Sequence, residues 1–378
     1  MSRSPSRRRF GSLSIGCVLP LLAAALASDP PVIEEEQKAP WPTGEWSIST
    51  PVEQGLDGDR LTELAGLIRA GEEFPDLHGL LVVRHGYLVV EEYFDGYDAD
   101  DLHMLQSVSK SFTSAVMGIA IEQKKIKSVD ERVLDFFPDL EGIENIDDRK
   151  RAMTIEDLLT MRSGTDYHER GPDSPHFQLN ALERGWTEFI LSRPMVREPG
   201  THFQYDSGGV ILMSSLIKAR TGEHADAFMA EHLFKPLGIE RHRWFRNREG
   251  HPHLGGGLHL TPRDMARFGL LYLRKGKWED EQIVPRKWVE ASIKRHVEFG
   301  PEVRPTVGYG YLWWILQPDP DGEGKEDIYA AMGFRAQYIF IIPEHDMVVV
   351  ITGGTHNGAD QNKPIGFLYS HILPAVKD

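Results

Sequence analysis

The stretch of sequence that decides the fold is Gln106-Ser107-Val108-Ser109-Lys110-Ser111-Phe112-Thr113-Ser114. Small and apolar residues recur from it at helical spacing as far as Ile121, which predicts a helix over 107–121. Ser107 and Lys110 are three positions apart, so on a helix the hydroxyl and the amine lie on one face. A serine hydroxyl is a weak nucleophile that needs an adjacent base, and a lysine is a base only where its pKa is lowered. The alternative is a helix-capping serine beside a solvated lysine.

The same spacing occurs a second time, at Ser215 and Lys218. That pair lies inside an apolar segment with helical spacing, predicted as a helix over 209–220, and is interpreted as ordinary helix residues. The first pair instead follows a predicted hairpin and a loop and opens a helix. An exposed nucleophile can stand there, so Ser107 is the better candidate.

Strand patterns lie near both ends of the chain, and helical patterns fill its middle. Two apolar, β-branched runs meet at Arg84-His85-Gly86, and two more meet at Pro343-Glu344-His345-Asp346, which predicts two hairpins. Strands grouped in hairpins indicate an antiparallel sheet rather than alternating βαβ units. The predicted strands cover residues 79–83, 87–94, 309–316, 338–342 and 347–352, and further helices are predicted near 61–69, 154–164, 261–276 and 364–373.

The chain is therefore predicted to belong to the α+β class, with an antiparallel sheet flanked by helices and an inserted, mostly helical domain. The sheet domain is expected to combine residues 51–128 with residues 258–378. The helical domain is expected over residues 129–257, and the site is expected in the cleft between the two domains.

The segment around Ser107 resembles the active-site segment of the serine β-lactamase, penicillin-binding and esterase superfamily. Later segments resemble the same superfamily in the same order, and the resemblance runs from about Gly79 to the C-terminus. It implies a β-lactamase/transpeptidase-like fold. The matching segments are Ser128-Val129-Asp130, Leu158-Leu159-Thr160-Met161-Arg162-Ser163-Gly164, Glu198-Pro199-Gly200, Phe203-Gln204-Tyr205-Asp206-Ser207-Gly208-Gly209, Pro236-Leu237-Gly238-Ile239, Thr261-Pro262-Arg263-Asp264 and Gly308-Tyr309-Gly310-Tyr311-Leu312-Trp313-Trp314.

The resemblance implies three catalytic residues. Ser107 matches the acylated serine, Lys110 its lysine partner, and Tyr205 the proton-shuttling tyrosine of the second motif, Y-x-N. The third position of that motif is Ser207 here, which can hydrogen-bond but lacks the two-donor amide of asparagine. Whether Lys110, Tyr205 or both accept the serine proton is left open.

The third motif of the superfamily, K-T-G or H-T-G on a strand, is not intact. Its best match is Ala331-Met332-Gly333, which keeps only the glycine. The resemblance implies that the missing basic and hydroxyl side chains grip a substrate carboxylate, so their absence weakens a β-lactamase or peptidase assignment. An oxyanion hole uses backbone N–H groups, which Ser107 and Phe334, the residue after Gly333, are expected to supply.

The resemblance implies a serine hydrolase that cleaves a small-molecule ester, amide or lactam through an acyl-enzyme at Ser107. The Gly333 region looks most like the esterase and amide-oligomer hydrolase members. Two alternatives stay open: a β-lactamase or D-Ala-D-Ala carboxypeptidase, and a penicillin-binding or sensor protein without turnover. The oligomeric state is not predicted.

Composition excludes several other classes. The formal net charge of -15 argues against nucleic acid, because phosphate binding needs clustered lysine and arginine. No cofactor is expected. No metal site is expected either, because His251, His253 and His259 lie in a glycine-rich loop without a carboxylate in clear register. The lone cysteine, Cys17, cannot form an internal disulfide.

The N-terminus has the order of a secretory signal peptide. Four arginines precede an apolar run, and Ala25-Leu26-Ala27 offers small residues for cleavage, which predicts a signal peptide over 1–27. Ser6-Arg7-Arg8-Arg9-Phe10 also resembles a twin-arginine signal. Export to the periplasm or the outside is therefore expected, with an extended leader over 28–50. The apolar run is too short for a membrane span, and lipidation at Cys17 is left open.

Overall fold

The computed structural model describes residues 39–71, 76–139, 141–303, 305–319, 324–358 and 360–377. The predicted signal peptide, residues 1–27, lies outside them, and the predicted leader is described only from Ala39 onward. The described part of the leader runs beside a strand, where the Leu88 N–H donates to the Ser47 carbonyl over 2.9 Å. Trp41 packs against Trp278 with ring centroids 5.2 Å apart. Backbone and aromatic contacts therefore bind this segment to the fold.

The main sheet takes its strands from both ends of the chain, as the sequence predicts. In the described residues it has eight strands, all paired antiparallel, in the order β2-β1-β13-β12-β11-β10-β9-β8. Two small sheets, β3-β5-β4 and β6-β7, accompany it. The strands are β1 Leu77–Arg84, β2 Tyr87–Tyr93, β3 His103–Met104, β4 Arg243–Trp244, β5 Leu258–Leu260, β6 Lys277–Trp278, β7 Glu281–Gln282, β8 Val297–Glu298, β9 Thr306–Tyr309, β10 Trp314–Leu316, β11 Ile328–Gly333, β12 Gln337–Ile342 and β13 Met347–Gly353.

Both predicted hairpins are confirmed. β1 and β2 are joined by His85 and Gly86, whose φ angles of 52° and 86° are the positive values of a tight two-residue hairpin turn. β12 and β13 pair across a single helical turn, Pro343–His345. The two hairpins meet because β1 pairs with β13, Leu80 opposite Ile351. The predicted α+β class with an antiparallel sheet is thus confirmed.

The prediction of a single strand over 309–316 is wrong, because the structure has two strands there. β9 ends at Tyr309 and β10 begins at Trp314, with Leu312 between them at a φ of 62°. Left-handed backbone cannot continue a strand, so the chain turns back and β10 pairs with β9. Strand alternation would place the two tryptophans on opposite sides; Trp313 is fully buried in the core, whereas Trp314 is half-buried.

Helices follow the predicted signals closely. Thr154 and Asp157 form the expected capping box, and Thr261 caps the helix that begins at Pro262. Gly222, with a φ of 82°, ends the helix predicted over 209–220. The helices of the described residues are α1 Gly58–Arg69, α2 Ser109–Glu122, α3 Asp148–Ala152, α4 Ile155–Leu159, α5 Pro175–Ala181, α6 Trp186–Leu191, α7 Ser207–Thr221, α8 Ala225–Met229, α9 Pro262–Leu273, α10 Arg286–Ser292 and α11 Lys363–Phe367.

The main sheet is covered on both faces. Along β12, Ile339 and Ile341 pack into the core that contains α2, α7 and α9, whereas Phe340 and Ile342 pack into the core formed with α1 and α11. Alternate residues of a strand point to opposite faces, which is why every residue of β12 is buried. Helix α2 is buried on nearly all sides, which explains its small and apolar composition.

Helices α3 to α8 fall between the two groups of sheet residues in the chain, within the predicted helical domain. The described residues from Ala39 onward form one compact unit, and the division into two domains stays a prediction. Across these residues, every helix is too short or too polar to cross a membrane.

Candidate active site

Ser107 lies in a tight turn and not inside the helix predicted for it. A single 3₁₀ turn, Gln106–Val108, precedes α2, so the hydroxyl stands at the entrance of a helix whose first residue is Ser109. Gln106 has a φ of 50°, a left-handed conformation that is uncommon for a residue with a side chain. Such backbone strain is concentrated at functional sites, where it holds a reacting group in place.

Lys110 is the nearest basic group to the Ser107 hydroxyl. Its Nζ donates to Ser107 Oγ over 2.8 Å and to the carbonyl of Gly255 over 2.6 Å. The side chain is almost wholly buried, at 1% exposure. Burial lowers the pKa of Lys110 to about 8, although the carboxylates of Glu169 and Asp206 act in the opposite direction. A substantial fraction of the amine is therefore neutral near pH 8 and can accept a proton.

The glycine-rich loop 255–257 forms the wall behind Lys110. It is brought there because β5 pairs with β3, and the Leu105 N–H next to β3 donates to the Leu258 carbonyl over 2.8 Å. A side chain on Gly255 would lie 3.2 Å from the Ser207 carbonyl. The sequence of these glycines predicts only a loop, and the folded chain alone reveals that one of their carbonyls holds the catalytic lysine candidate.

The second motif lies at the start of α7. The Asp206 carboxylate caps this helix by accepting the Gly209 N–H over 2.9 Å, and the Ser163 hydroxyl donates to it over 2.8 Å. Burial raises the pKa of Asp206 to about 6, against these hydrogen bonds. Ser207 is buried at the first helical position. Asp206 therefore fixes the orientation of Tyr205 and Ser207 on either side of it.

Tyr205 faces the candidate pair. The Lys110 Nζ lies 4.9 Å from the centroid of its ring, and the Ser107 side chain is near enough to its hydroxyl to act on the pKa of Tyr205. Burial, followed by the nearby carboxylate of Glu169, raises the pKa of Tyr205 well above its usual range, so the phenol keeps its proton at any physiological pH. The ring stacks on Trp314 with centroids 5.6 Å apart. The fold thus brings Tyr205 from a separate segment to Ser107 and Lys110.

The end of β11 approaches the Ser107 turn very closely. A Cβ on Gly333 would lie only 2.4 Å from the Leu105 carbonyl oxygen, so a residue with a side chain cannot occupy this position without moving the strand. Within the described residues, pairing with β10 stops at Ala330, whereas pairing with β12 continues to Gly333. The strand is therefore internal at its start and has an open edge beside Ser107 at its end. Phe334, half exposed, follows at the mouth of the site.

Two cavities meet at Ser107. The first, of about 450 Å³, is lined by Tyr205, Trp314 and Gly333, and the second, of about 620 Å³, by Ser207, Phe245 and Gly256. Both are lined in addition by Ser107, Glu169, Arg170 and Phe334. Of the six site residues predicted from the sequence, five line one cavity or both, and the sixth, Lys110, is buried behind them. Ser107 lies at the boundary between the two cavities.

Sequence reasoning missed Glu169, which lines both cavities. Its carboxylate accepts the Ser207 N–H over 3.0 Å. Glu169 comes from the loop between α4 and α5, and it follows the matched segment ending at Gly164 by only five positions. The only available signal was an acidic residue shortly after a matched motif, which is too common to single out.

Sequence reasoning also missed a chain of polar side chains along the second cavity. Asn180 joins two imidazoles: its amide donates to His176 Nε2 over 3.0 Å, and its oxygen lies 3.0 Å from His253 Nε2. Burial lowers the pKa of His253 to about 3, so this ring is neutral. His253, one of the three histidines considered as metal ligands from the sequence, therefore belongs to this hydrogen-bonded chain of side chains along the second cavity. No cluster of three metal-ligating side chains occurs in the part of the chain that the structure describes.

A comparison with protein families identifies the family of the chain. A family model described as Beta-lactamase matches residues 66–364. The chain belongs to the β-lactamase family. Among curated proteins, the chain is 26% identical to the 6-aminohexanoate-dimer hydrolase of Paenarthrobacter ureafaciens. The alignment covers 80% of this chain and 79% of that hydrolase. The predicted membership of the serine β-lactamase and penicillin-binding superfamily is confirmed, and the chain is a serine hydrolase of this family.

Solved structures show the same fold. EstCE1, described as a hydrolase with promiscuous acyltransferase activity, superposes with a TM-score of 0.68 at 17% identity, covering 85% of this chain and 99% of its own. The octameric penicillin-binding protein homologue from Pyrococcus abyssi superposes with a TM-score of 0.65 at 20% identity, covering 83% and 77%. At such identities the likeness concerns the fold alone. It confirms the predicted β-lactamase/transpeptidase-like architecture.

For this β-lactamase-family hydrolase we expect kcat/KM to rise with pH and to level off above a pKa of about 8, that of Lys110. Below that pH the amine is charged and cannot accept the Ser107 proton, so the rate should fall about tenfold per pH unit. The measurement is kcat/KM for a p-nitrophenyl ester between pH 5.5 and 9.5, with circular dichroism at each pH to show that the chain stays folded. A flat profile between pH 6 and 9 would contradict Lys110 as the titrating base.

Proposed function

We propose that the chain hydrolyses ester or amide bonds of small molecules through an acyl-enzyme on Ser107. The observation that carries this proposal is the 2.8 Å contact between Lys110 Nζ and Ser107 Oγ, made by a lysine that is buried and has its pKa lowered to about 8. A nucleophile within hydrogen-bond distance of a base whose pKa lies near the working pH is the arrangement that covalent catalysis requires.

Acylation begins when neutral Lys110 accepts the proton of the Ser107 hydroxyl. Ser107 Oγ forms a bond to the substrate carbonyl carbon, and the π electrons of the carbonyl move to its oxygen. The backbone N–H groups of Ser107 and Phe334 stabilise this oxyanion. When the carbonyl re-forms, the bond to the leaving group breaks, Tyr205 donates its proton to that group, and the Lys110 ammonium returns a proton to Tyr205.

Deacylation repeats the same steps with water as the nucleophile. Water transfers one proton to neutral Lys110 as its oxygen bonds to the acyl carbon. The bond between that carbon and Ser107 Oγ then breaks, and Ser107 recovers its proton through Tyr205. Over both stages one water is consumed, and the acid and the protonated leaving group, an alcohol or an amine, are released, so every protein group ends in its starting state.

The pKa values favour Lys110 over Tyr205 as the base. Tyr205 would have to be ionised to accept a proton, and its pKa is raised well above its usual range. Lys110 needs only to lose a proton near pH 8. Tyr205, whose ring faces Lys110 and which lines the first cavity together with Ser107, fits the role of the proton carrier between Lys110 and the leaving group.

The altered third motif supports an ester or amide over a β-lactam. The end of β11 presents Met332 to the first cavity, and Ala331 is buried, so these two positions offer neither a cation nor a hydroxyl to a substrate carboxylate. The relative named 6-aminohexanoate-dimer hydrolase is in keeping with a linear amide as substrate. An esterase or amidase is therefore proposed ahead of a β-lactamase, a D-Ala-D-Ala carboxypeptidase or a sensor without turnover.

The test is a substrate panel with the purified chain. We expect a burst and then steady turnover with p-nitrophenyl butyrate, slower turnover with the corresponding p-nitroanilide, and kcat/KM at least about 100-fold lower with a chromogenic cephalosporin, because the carboxylate of the cephalosporin lacks a cation on β11. Preferential cephalosporin turnover would replace the proposal by a β-lactamase. A single burst without turnover on any substrate would instead indicate a penicillin-binding or sensor protein.

A further inference from the structure

The side chain of Gln361 binds the backbone on both sides of Phe334, the residue expected to supply the second N–H of the oxyanion hole. Its Nε2 donates to the Gly333 carbonyl over 2.8 Å, and its Oε1 accepts the Arg335 N–H over 2.8 Å. Gln361 lies in the loop before α11, 28 positions after Gly333, so only the folded chain makes these contacts. Neither the matched motifs nor the proposed chemistry includes this residue.

The first of these hydrogen bonds sets the direction of the Phe334 N–H. The Gly333 carbonyl and the Phe334 N–H belong to one planar, trans peptide group, so they point to opposite sides of it. Because Gln361 binds the carbonyl, the N–H is turned to the other side, where no residue that the structure describes accepts it. Gly333 and Phe334 both line the first cavity together with Ser107. The N–H is therefore free to bind an oxygen of the substrate there.

The turn that carries Phe334 needs support from outside the hairpin. Arg335 and Ala336, which follow it, have φ angles of 62° and 60°, a left-handed conformation that is uncommon for residues with side chains. Gln361 binds the N–H of Arg335, and Gln337 donates to its carbonyl over 3.0 Å. Residues in this conformation persist where surrounding contacts determine them, and they are concentrated at active sites. The two glutamine side chains supply such contacts.

Gln361 is itself bound to the main sheet. Its backbone carbonyl accepts the hydroxyl of Tyr338 over 2.6 Å. Tyr338 is a fully buried residue of β12, and its ring stacks on Phe340 with centroids 5.2 Å apart. Gln361 is half-buried in the wall of the first cavity. The sheet therefore holds the Gln361 amide beside the end of β11.

We propose that Gln361 is a positioning residue for the oxyanion hole. Its amide orients the Gly333–Phe334 peptide so that the N–H faces the developing oxyanion, and its hydrogen bond to the carbonyl polarises the same peptide and strengthens the N–H as a donor. This inference rests on the proposed acyl-enzyme at Ser107. The oxyanion exists in the transition state and not in the bound substrate, so Gln361 acts on kcat and leaves KM unchanged.

The experiment uses Gln361→Glu, which keeps the size of the side chain and an acceptor for the Arg335 N–H but puts a carboxylate oxygen in place of the donor to Gly333. We expect kcat and kcat/KM for p-nitrophenyl butyrate at pH 8 to fall together by about 10- to 100-fold, with KM changed by less than about twofold. Gln361→Met, which loses both contacts without adding a charge, should show the same parallel fall.

A second measurement reports on the oxyanion hole directly. Propylboronic acid forms a tetrahedral adduct with a nucleophilic serine and so imitates the intermediate of butyrate hydrolysis. We expect its inhibition constant to rise in both Gln361 variants by about the factor that kcat loses. Thermal unfolding of each protein, followed by circular dichroism, is measured alongside.

Gln282→Glu is the matched control. The Gln282 amide also donates to two backbone carbonyls, those of Lys275 and Val284, over 2.9 and 2.7 Å, but it lies on β7 and lines neither cavity. This variant should keep the wild-type kcat, KM and inhibition constant.

Wild-type kcat in folded Gln361→Glu and Gln361→Met overturns this inference and leaves the acyl-enzyme proposal intact. So does a loss of kcat with an unchanged inhibition constant for the boronic acid, because the oxyanion hole is then not what the variants alter. Absence of any burst with the wild type would instead overturn the proposed function itself.

Discussion

Replacing Ser107 by alanine is expected to lower kcat for p-nitrophenyl butyrate by about 10⁵-fold or more, because no acyl-enzyme can form. The hydroxyl is the only group that the variant loses, and the turn of Gln106–Val108 that carries it keeps its backbone bonds. The measurement is the burst and the steady-state rate, together with the mass of the intact protein after mixing with substrate. Wild type should gain the mass of one butyryl group, and Ser107→Ala should gain none.

The chain contains its own control for this experiment. Ser215 has a lysine three positions later, as Ser107 does, but its hydroxyl is buried on α7 and bonds Thr187 over 2.7 Å. Ser215→Ala should keep the wild-type burst and rate. Equal turnover by Ser107→Ala and the wild type would show that another residue is the nucleophile.

Replacing Lys110 by methionine is expected to lower kcat/KM by about 10³-fold, within the range that a general base contributes. Methionine keeps the length of the side chain but offers no group that accepts the Ser107 proton. The remaining rate should lose the rise toward pH 8, because the titrating group is gone. The measurement is the pH profile of kcat/KM for p-nitrophenyl butyrate, with thermal unfolding of both proteins alongside.

Lys218→Met serves as the comparison, because Lys218 follows Ser215 at the same spacing and its Nζ bonds His224 Nε2 over 3.2 Å. We expect it to keep both the rate and the pH profile. If Lys110→Met keeps its folding transition and still hydrolyses the ester at the wild-type rate with a rise toward pH 8, Lys110 is not the base. Tyr205 would then be the next group to test, by replacement with phenylalanine.

Where hydrogen bonds are local, sequence reasoning predicted the structure well. Thr154 and Thr261 cap helices that begin at the next residue, and His85-Gly86 forms a tight hairpin turn. Each of these features depends on residues within four positions of one another, so side-chain chemistry alone determines it. Spacing alone does not pair a serine with a lysine, because Ser215 bonds Thr187 and Lys218 bonds His224, whereas Lys110 donates to Ser107.

Predictions failed where the backbone had to meet a distant segment. The residues of 309–316 give no signal that Leu312 adopts a φ of 62° and divides the strand predicted there into two. Ser107 lies in a 3₁₀ turn and not in α2, a difference of one turn that propensities do not resolve. The left-handed Gln106 is likewise a conformation that the surrounding fold imposes, because the residue alone disfavours it.

The sequence by itself determined the α+β class and the antiparallel sheet, because hydrophobic period is a property of neighbouring residues. Its resemblance to the superfamily named Ser107, Lys110 and Tyr205 as candidates. Only the tertiary structure placed Gly255 behind Lys110, Glu169 between two cavities, and the open end of β11 against Leu105. Residue spacing says nothing about desolvation. The pKa of Lys110 depends on burial and on the carboxylates of Glu169 and Asp206, which are 59 and 96 positions away in the chain and approach it only when the chain folds.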